Sequence, residues 1–263
     1  MSFLEPTPWF DWLKREGYTQ ATVQQLINAK ETLERESLVA RDYVSKLFPK
    51  VEKFVKQTVP GVLTEYAPRA IQGMTDRLQV TIGPWFHAAS KTMGQIFNAD
   101  EAILYGPGKT SEQIGAWFDK WYQRFPWILE IDAVKLDLHL KEAALATQVE
   151  IYKALDCPYE VLQAKQQENL GVRGVSTTGV TFTCRAVKRS GDSDTTFGNT
   201  CSCITCWLGA LQSAGLVLEQ DFAMAVMGDD VVVLLRLKPD LDHLLGFVRS
   251  MGIESEMSLH QHR

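Results

Sequence analysis

The 263-residue chain contains no apolar run approaching the roughly 18–20 residues needed to cross a bilayer. Its first residues, MSFLEPTPWFDWLKREG, lack the basic-then-apolar layout of a secretion leader. These two absences make a cytosolic protein the expectation. Cysteine is scarce: five residues, an odd number, argue against a disulfide framework. Cys201, Cys203 and Cys206 form CSCITC, which invites a zinc reading, but such sites normally need four ligands and no CxxC or HxxxH partner exists elsewhere. On a helix, positions 201 and 203 would point about 200° apart, so these residues are read as core thiols. A basic excess is missing too. The net charge is −5, whereas proteins that hold a nucleic-acid backbone usually carry a basic face; a locally basic groove can still coexist with an acidic exterior.

What is present is an ordinary globular composition, 45% apolar and 22% charged, long enough for one large core or one domain with appendages. Residues 19–37 are rich in helix formers, with Val23, Leu26 and Leu33 near one face. A short extended piece is predicted around PRAIQG, followed by a helix over 84–97. The glycines of YGPGKT lack the full spacing of a phosphate cradle and read as a turn into a helix over 112–123 with Ser111 as its cap. WILEIDA, 127–133, reads as a strand, 138–155 as a helix, and VTFTCRAV, 180–187, as a second strand. The polar KRSGDSDTT then leads into a helix closed by Gly215. FAMAV and VVVLLR bracket Gly-Asp-Asp as a β-hairpin, and PDLDHLLGFVRSMG reads as an amphipathic helix ending at Gly252. There is no internal repeat. The order of elements predicts an α+β fold, an antiparallel sheet with helices packed on one face.

Three groups of residues carry chemistry. Asp229 and Asp230 sit side by side between two apolar, mostly β-branched runs. Paired carboxylates in such a setting repel one another unless something positive compensates. Asp132 ends the strand WILEID, and Asp137 follows five residues later. Taken singly, Gly-Asp-Asp suits a surface turn, while Asp132 and Asp137 suit a strand end and a helix cap. Taken together, an acid at one strand end and two at a neighbouring hairpin tip can converge on two divalent cations, the arrangement that phosphoryl transfer between nucleotides requires. Magnesium prefers such hard oxygen ligands. In SGDSDTTFGNT, Ser, Thr and Asn offer groups that could read a ribose hydroxyl, and Gly191 and Gly198 permit close approach of backbone to substrate. The plainer reading of that stretch is a polar strand-to-helix turn.

IDAVKLDLH, KRSGDSDTTFGNT and AVMGDDVVV resemble, in order, motifs A, B and C of viral RNA-dependent RNA polymerases. They are most similar to those of positive-strand viruses in the tombusvirus-like and nodavirus-like group, whose Pro-Arg-x-Ile-Gln segment of motif F is similar to YAPRAIQGMTDRLQV. The resemblance implies a right-hand palm over 127–263, with motifs A (131–139), B (188–200), C (225–234) and D (239–256), and a fingers-type insertion around 157–180. It implies an N-terminal helical region and partial fingers over 1–126, with motif F near 65–73, and no thumb within the chain. By position it assigns Asp132 and Asp229 as ligands of two Mg²⁺ or Mn²⁺ ions and Asp230 as an auxiliary metal or primer-end contact. Asp137 and Asn199, supported by Thr195, would sense the 2′-hydroxyl; Ser190 and Gly191 would lie in the loop that meets template and nascent pair. Arg69 would meet the incoming triphosphate, as a planar guanidinium suits phosphate oxygens. Lys135 matches a basic residue that many relatives carry, with a solvated lysine as the other reading. The implied partners are RNA template and nascent RNA, ribonucleoside triphosphates and other viral replication proteins. The implied location is the host cytoplasm, in a replication complex that other regions could tie to a membrane.

Two departures stand out. No lysine follows Lys238 to act as the motif D general acid, and the tail offers only His260, His262 and Arg263. The chain also stops near the start of motif E. A reverse transcriptase is disfavoured because Met227 and Gly228 stand where its relatives carry an aromatic and a small residue. A non-catalytic RNA-binding or scaffold protein that retains a palm is the alternative of a different class, and the full set of Asp132, Asp229, Asp230 and Asn199 argues against it.

Overall fold

The computed structural model describes residues 4–15, 17–50, 70–185 and 188–261. In chain order, α1 (Trp9–Leu13) and α2 (Gln20–Leu33) lead to β1 (Val44–Pro49), β2 (Ala70–Gly73) and the long α3 (Asp76–Ile96). Next come β3 (Ile103–Tyr105), α4 (Ser111–Tyr122), β4 (Trp127–Ala133), α5 (Leu136–His139) and α6 (Glu142–Ala154). They are followed by α7 (Tyr159–Leu170), β5 (Val172–Ser176), β6 (Thr181–Cys184) and α8 (Thr195–Ser213). The hairpin β7 (Phe222–Met227) and β8 (Asp230–Leu235) precedes α9 (Leu241–Ser250) and β9 (Ser255–Gln261).

The larger sheet runs β3-β7-β8-β4-β9, antiparallel except that β3 joins β7 in parallel. Alternation sorts its side chains. Leu129, Ile131 and Ala133 of β4 share a buried cluster with Val231, Val233 and Leu235 of β8 and Phe222, Met224 and Val226 of β7. Helix α3 contributes Leu78, Ile82, Trp85, Phe86 and Ala89, a helical stripe, and α8 contributes Phe197, Cys201, Ile204 and Trp207. Phe86, Tyr152 and Phe197 form the aromatic centre of this layer, with ring centroids 5.0 Å and 5.8 Å apart for the two pairs made by Tyr152.

The expected α+β architecture is present, with two differences in layering. Helices do not all lie on one face: Trp117 and Trp121 of α4, with Phe125, pack on Leu104, Ala223 and Leu234, the residues of alternate parity. The sheet is mixed, not wholly antiparallel, because β3 returns beside β7. A second mixed sheet, β2-β1-β5-β6, pairs β1 with β5 in parallel; the segment expected as an insertion at 157–180 supplies its strand β5 and helix α7.

Several boundaries moved for identifiable reasons. The helix expected over 84–97 begins earlier, at Asp76, where the Thr75 hydroxyl caps Leu78 N–H, and Pro84 lies inside it. The helix expected over 138–155 is two pieces, interrupted by the non-helical Leu140 and the extended Lys141. Thr110, not Ser111, caps α4, in a reciprocal box with Gln113. β9 forms where no strand was expected, although SEMSLHQ alternates polar and apolar residues with the period of a strand. Cys201, Cys203 and Cys206 are buried free thiols, as predicted. Among the described residues no helix is long and apolar enough to cross a membrane.

Candidate active site

The predicted hairpin forms with a two-residue connection, Gly228 and Asp229, between the paired Met227 and Asp230. Gly228 has φ +69°, a conformation that a β-carbon would strain. Two contacts fix the tip: Gly228 N–H donates to Thr200 Oγ1 of α8 at 2.8 Å, and Gly106 N–H donates to the Val226 carbonyl at 2.8 Å. Gly106 must be glycine, since a β-carbon there would lie 2.8 Å from that of Met227. The YGPGKT loop therefore buttresses the hairpin and enters α4, in keeping with its reading as a turn.

Antiparallel register sets Asp132 directly opposite Asp230, and residues facing one another across a ladder project to the same side. Asp132, Asp229 and Asp230 are all exposed. Asp230 titrates above the usual carboxylate range, through burial first and then the charges of Asp229 and Asp132. Among the described residues none of the three forms an ion pair with a basic side chain. The trio is thus an uncompensated concentration of negative charge.

Past β4 the chain turns at Lys135, which adopts a left-handed backbone with φ 47°. This turn starts α5 and places Asp137 against α8, where Asn199 Nδ2 donates to Asp137 Oδ1 at 2.9 Å. Burial raises the Asp137 carboxyl; Asn199 and Lys188 oppose the rise, and Asp229 and Asp194 add to it. Asp137 therefore feels both the hairpin tip and the loop before α8. Asn199 Oδ1 is buried without a hydrogen-bond partner among the described residues, an acceptor left open beside a carboxylate.

The remaining predicted residues sit elsewhere. Ser190 Oγ accepts from Gln72 N–H at 3.3 Å and donates to the Ala70 carbonyl at 3.4 Å. Gly191 N–H donates to the Gln72 carbonyl, and a β-carbon on Gly191 would lie 2.7 Å from that oxygen. Gly191 was expected to let backbone approach substrate closely; the close neighbour that the structure gives it is β2 instead. Thr195 Oγ1 donates to the Arg189 carbonyl at 2.7 Å and accepts from Asp192 N–H, which shapes the turn into α8. Arg69 lies outside the described residues, as do His262 and Arg263. His260 faces Ile128 in the β9–β4 register, whereas Glu256 faces Asp132. At about 3.3 Å per residue, His260 is about 13 Å along the sheet from Asp132 and lies beside Glu130 instead, at 3.7 Å.

Two groups went unnoticed in the sequence. Thr200 ties α8 to the hairpin tip. A buried charge cluster of Lys165, Glu168, Lys188, Arg189, Asp192 and Asp194 lies under the loop before α8. The pair of aspartates in GDSD was its visible trace.

Among the described residues no group of three or more His, Cys, Asp or Glu side chains closes tightly enough to form a metal cage. That fits magnesium, which is usually held by one or two carboxylates, waters and substrate phosphates, not by an all-protein cage. The donor set is all oxygen and its charge is unmet, so Asp132, Asp229 and Asp230 suit a divalent cation.

The sequence model of the family "Viral RNA dependent RNA polymerase" matches residues 16–252, and the chain belongs to that family. It is accordingly an RNA-dependent RNA polymerase, a nucleotidyltransferase, and family membership implies the polymerase fold and RNA-templated RNA synthesis.

Proposed function

We propose that the chain adds ribonucleotides to the 3′-end of an RNA strand on an RNA template, with Asp132 and Asp229 holding two Mg²⁺ or Mn²⁺ ions. The observation that supports this most is the Asp132–Asp230 register with Asp229 at the adjoining tip and the Asp137–Asn199 pair at the same end of the sheet. Bound there, the cations would supply charge stabilisation for the attacking 3′-oxygen and the departing pyrophosphate. Asp230 is the auxiliary carboxylate, next to the primer end. Asp137, held by Asn199 through its other oxygen, presents its second carboxylate oxygen as the acceptor for a ribose 2′-hydroxyl, so the pair favours ribonucleotides. Ser190 and Gly191 lie in the loop that meets template and nascent pair, Thr195 shapes its exit, and Arg69 contacts the incoming triphosphate.

Within the family, motifs A to C and the Pro-Arg-x-Ile-Gln segment support placement with the tombusvirus-like and nodavirus-like polymerases, acting in the host cytoplasm with other viral replication proteins. The test is labelled ribonucleotide incorporation on a primed RNA template with Mg²⁺ or Mn²⁺. Metal-dependent extension that disappears in Asp229→Asn and Asp132→Asn is expected. Extension retained in either variant would overturn the assignment.

A further inference from the structure

Asp194 is the residue before α8, where an aspartate ordinarily caps the helix by accepting from its first N–H groups. Here its side chain makes no such bond. Its carboxylate turns inward, where Oδ2 accepts from Lys188 at 2.7 Å and from Tyr152 Oη at 2.7 Å, and Oδ1 accepts from Lys165 at 3.1 Å. Lys165, from the middle of α7, also reaches Asp192 at 2.5 Å and Glu168 at 2.7 Å. Arg189 pairs with Glu168 and donates to the carbonyl of Tyr43, the residue before β1. All six side chains are buried, and three basic groups meet three carboxyls. A cluster of this kind is costly to desolvate, and its best-attested use is to fix a unique arrangement, not to add stability.

The arrangement it fixes is the entry to α8. Gln148 Nε2 donates to the Gly198 carbonyl at 3.0 Å and to Ser202 Oγ at 2.8 Å, while Gln148 Oε1 accepts from Lys188. Lys188 N–H donates to the Asp137 carbonyl at 3.2 Å. The same loop thus touches Asp137 at one end and carries Asn199 at the other. Nothing in the reaction calls for a buried ammonium on α7, which contributes no residue to the site.

We infer that Lys165 is a positioning residue for ribose selection: it locks the 188–194 loop and the first turn of α8 to α7, and so holds Asn199 in register with Asp137. This rests on the proposed reading of the Asp137–Asn199 pair. Charge logic agrees with it. Burial pushes Lys165 down, but Asp192, Asp194 and Glu168 outweigh that and keep it cationic. Burial pushes Asp194 up, but Lys165 and Lys188 outweigh that and hold it ionised.

The experiment compares kcat/KM for a ribonucleoside triphosphate with that for its 2′-deoxy analogue on a primed RNA template. The ratio of the two does not depend on the fraction of folded enzyme. Lys165→Met alone strips the buried Asp192 and Asp194 carboxyls of a shared donor and endangers folding, so the decisive variant is Lys165→Met with Asp192→Asn, which removes the ammonium together with the acid it bonds. A misplacement of about 1 Å can cost ~100-fold, so the ratio is expected to fall by roughly 10- to 100-fold in that variant. Asn199→Ala should lower it at least as far, and adding Lys165→Met and Asp192→Asn to Asn199→Ala should lower it no further. An unchanged ratio in the Lys165→Met, Asp192→Asn variant, with Asn199→Ala lowered, overturns the role of Lys165 alone. An unchanged ratio in Asn199→Ala overturns the reading of the Asp137–Asn199 pair and the inference with it.

Discussion

Gly198 has no turn to make; it lies inside α8, where alanine is ordinarily the better residue by about 1 kcal/mol. The structure reverses that expectation. A β-carbon at Gly198 would lie 2.4 Å from Lys188 Nζ, 2.8 Å from Tyr152 Oη and 3.0 Å from Gln148 Oε1. None of these groups can retreat into water, because Lys188 is bonded to Asp194 and Gln148 in the interior. Overpacking of a tight core costs about 1–3 kcal/mol, and a displaced charge-assisted hydrogen bond costs about 1.5–3 kcal/mol. Set against the gain in helix propensity, Gly198→Ala should destabilise the protein by about 2–5 kcal/mol, a large share of the roughly 5–15 kcal/mol typical of a folded domain. The assay is urea unfolding followed by tryptophan fluorescence, read as a shift of the midpoint. A loss below about 1 kcal/mol, the range of ordinary point changes, would refute the claim that α8 rests directly on a packed charge cluster.

Other consequences follow from the same geometry. Asp192 is buried, and burial, with Asp194 and Glu168 adding and Lys165 and Lys188 opposing, pushes its pKa up to about 8. A carboxyl raised on folding stabilises the protein below its unfolded pKa and loses that contribution as pH rises through the folded value. Stability measured by urea midpoint should therefore decline towards pH of about 8, and Asp192→Asn should flatten the decline; equal slopes would contradict the account. Gly191→Ala would press a β-carbon against the Gln72 carbonyl, so it should separate β2 from the loop and destabilise by about 1–3 kcal/mol, seen as faster hydrogen exchange at Gln72 and Gly191. His260→Gln should leave primer extension within about twofold, because the imidazole stands about 13 Å from Asp132 on β9. A loss of ten-fold or more would show that the histidine reaches the chemistry.

Much of the site was legible because it rests on local pattern. Continuous apolar runs on both sides of Gly-Asp-Asp define a hairpin whatever surrounds it, and the strand WILEID sets Asp132 at its end. That Asp132 faces Asp230 is a matter of register between distant strands, and motif order anticipated it where periodicity could not. The charge cluster was illegible for the opposite reason. KRSGDSDTT is polar throughout and reads as a polar loop, yet α7, in a segment read only as an insertion, covers it with Lys165 and Glu168. Burial of polar groups by a partner remote in sequence leaves no periodic trace. β9 was missed because its apolar residues, Met257 and Leu259, are few, and pairing with β4 supplies what propensity does not. The second helical layer escaped notice because the small Ala223 and Ala225 give β7 no outward sign that α4 packs there.

The central claim is that Asp132, Asp229 and Asp230 form an open cation site that a bound nucleotide completes. Its most direct test is a Mn²⁺ titration followed by electron paramagnetic resonance, with and without a non-hydrolysable ribonucleoside triphosphate. The account predicts weak binding by the protein alone, at least ten-fold tighter binding once the nucleotide is present, and loss of that gain in Asp229→Asn. Nucleotide-enhanced Mn²⁺ binding that survives Asp229→Asn would contradict it.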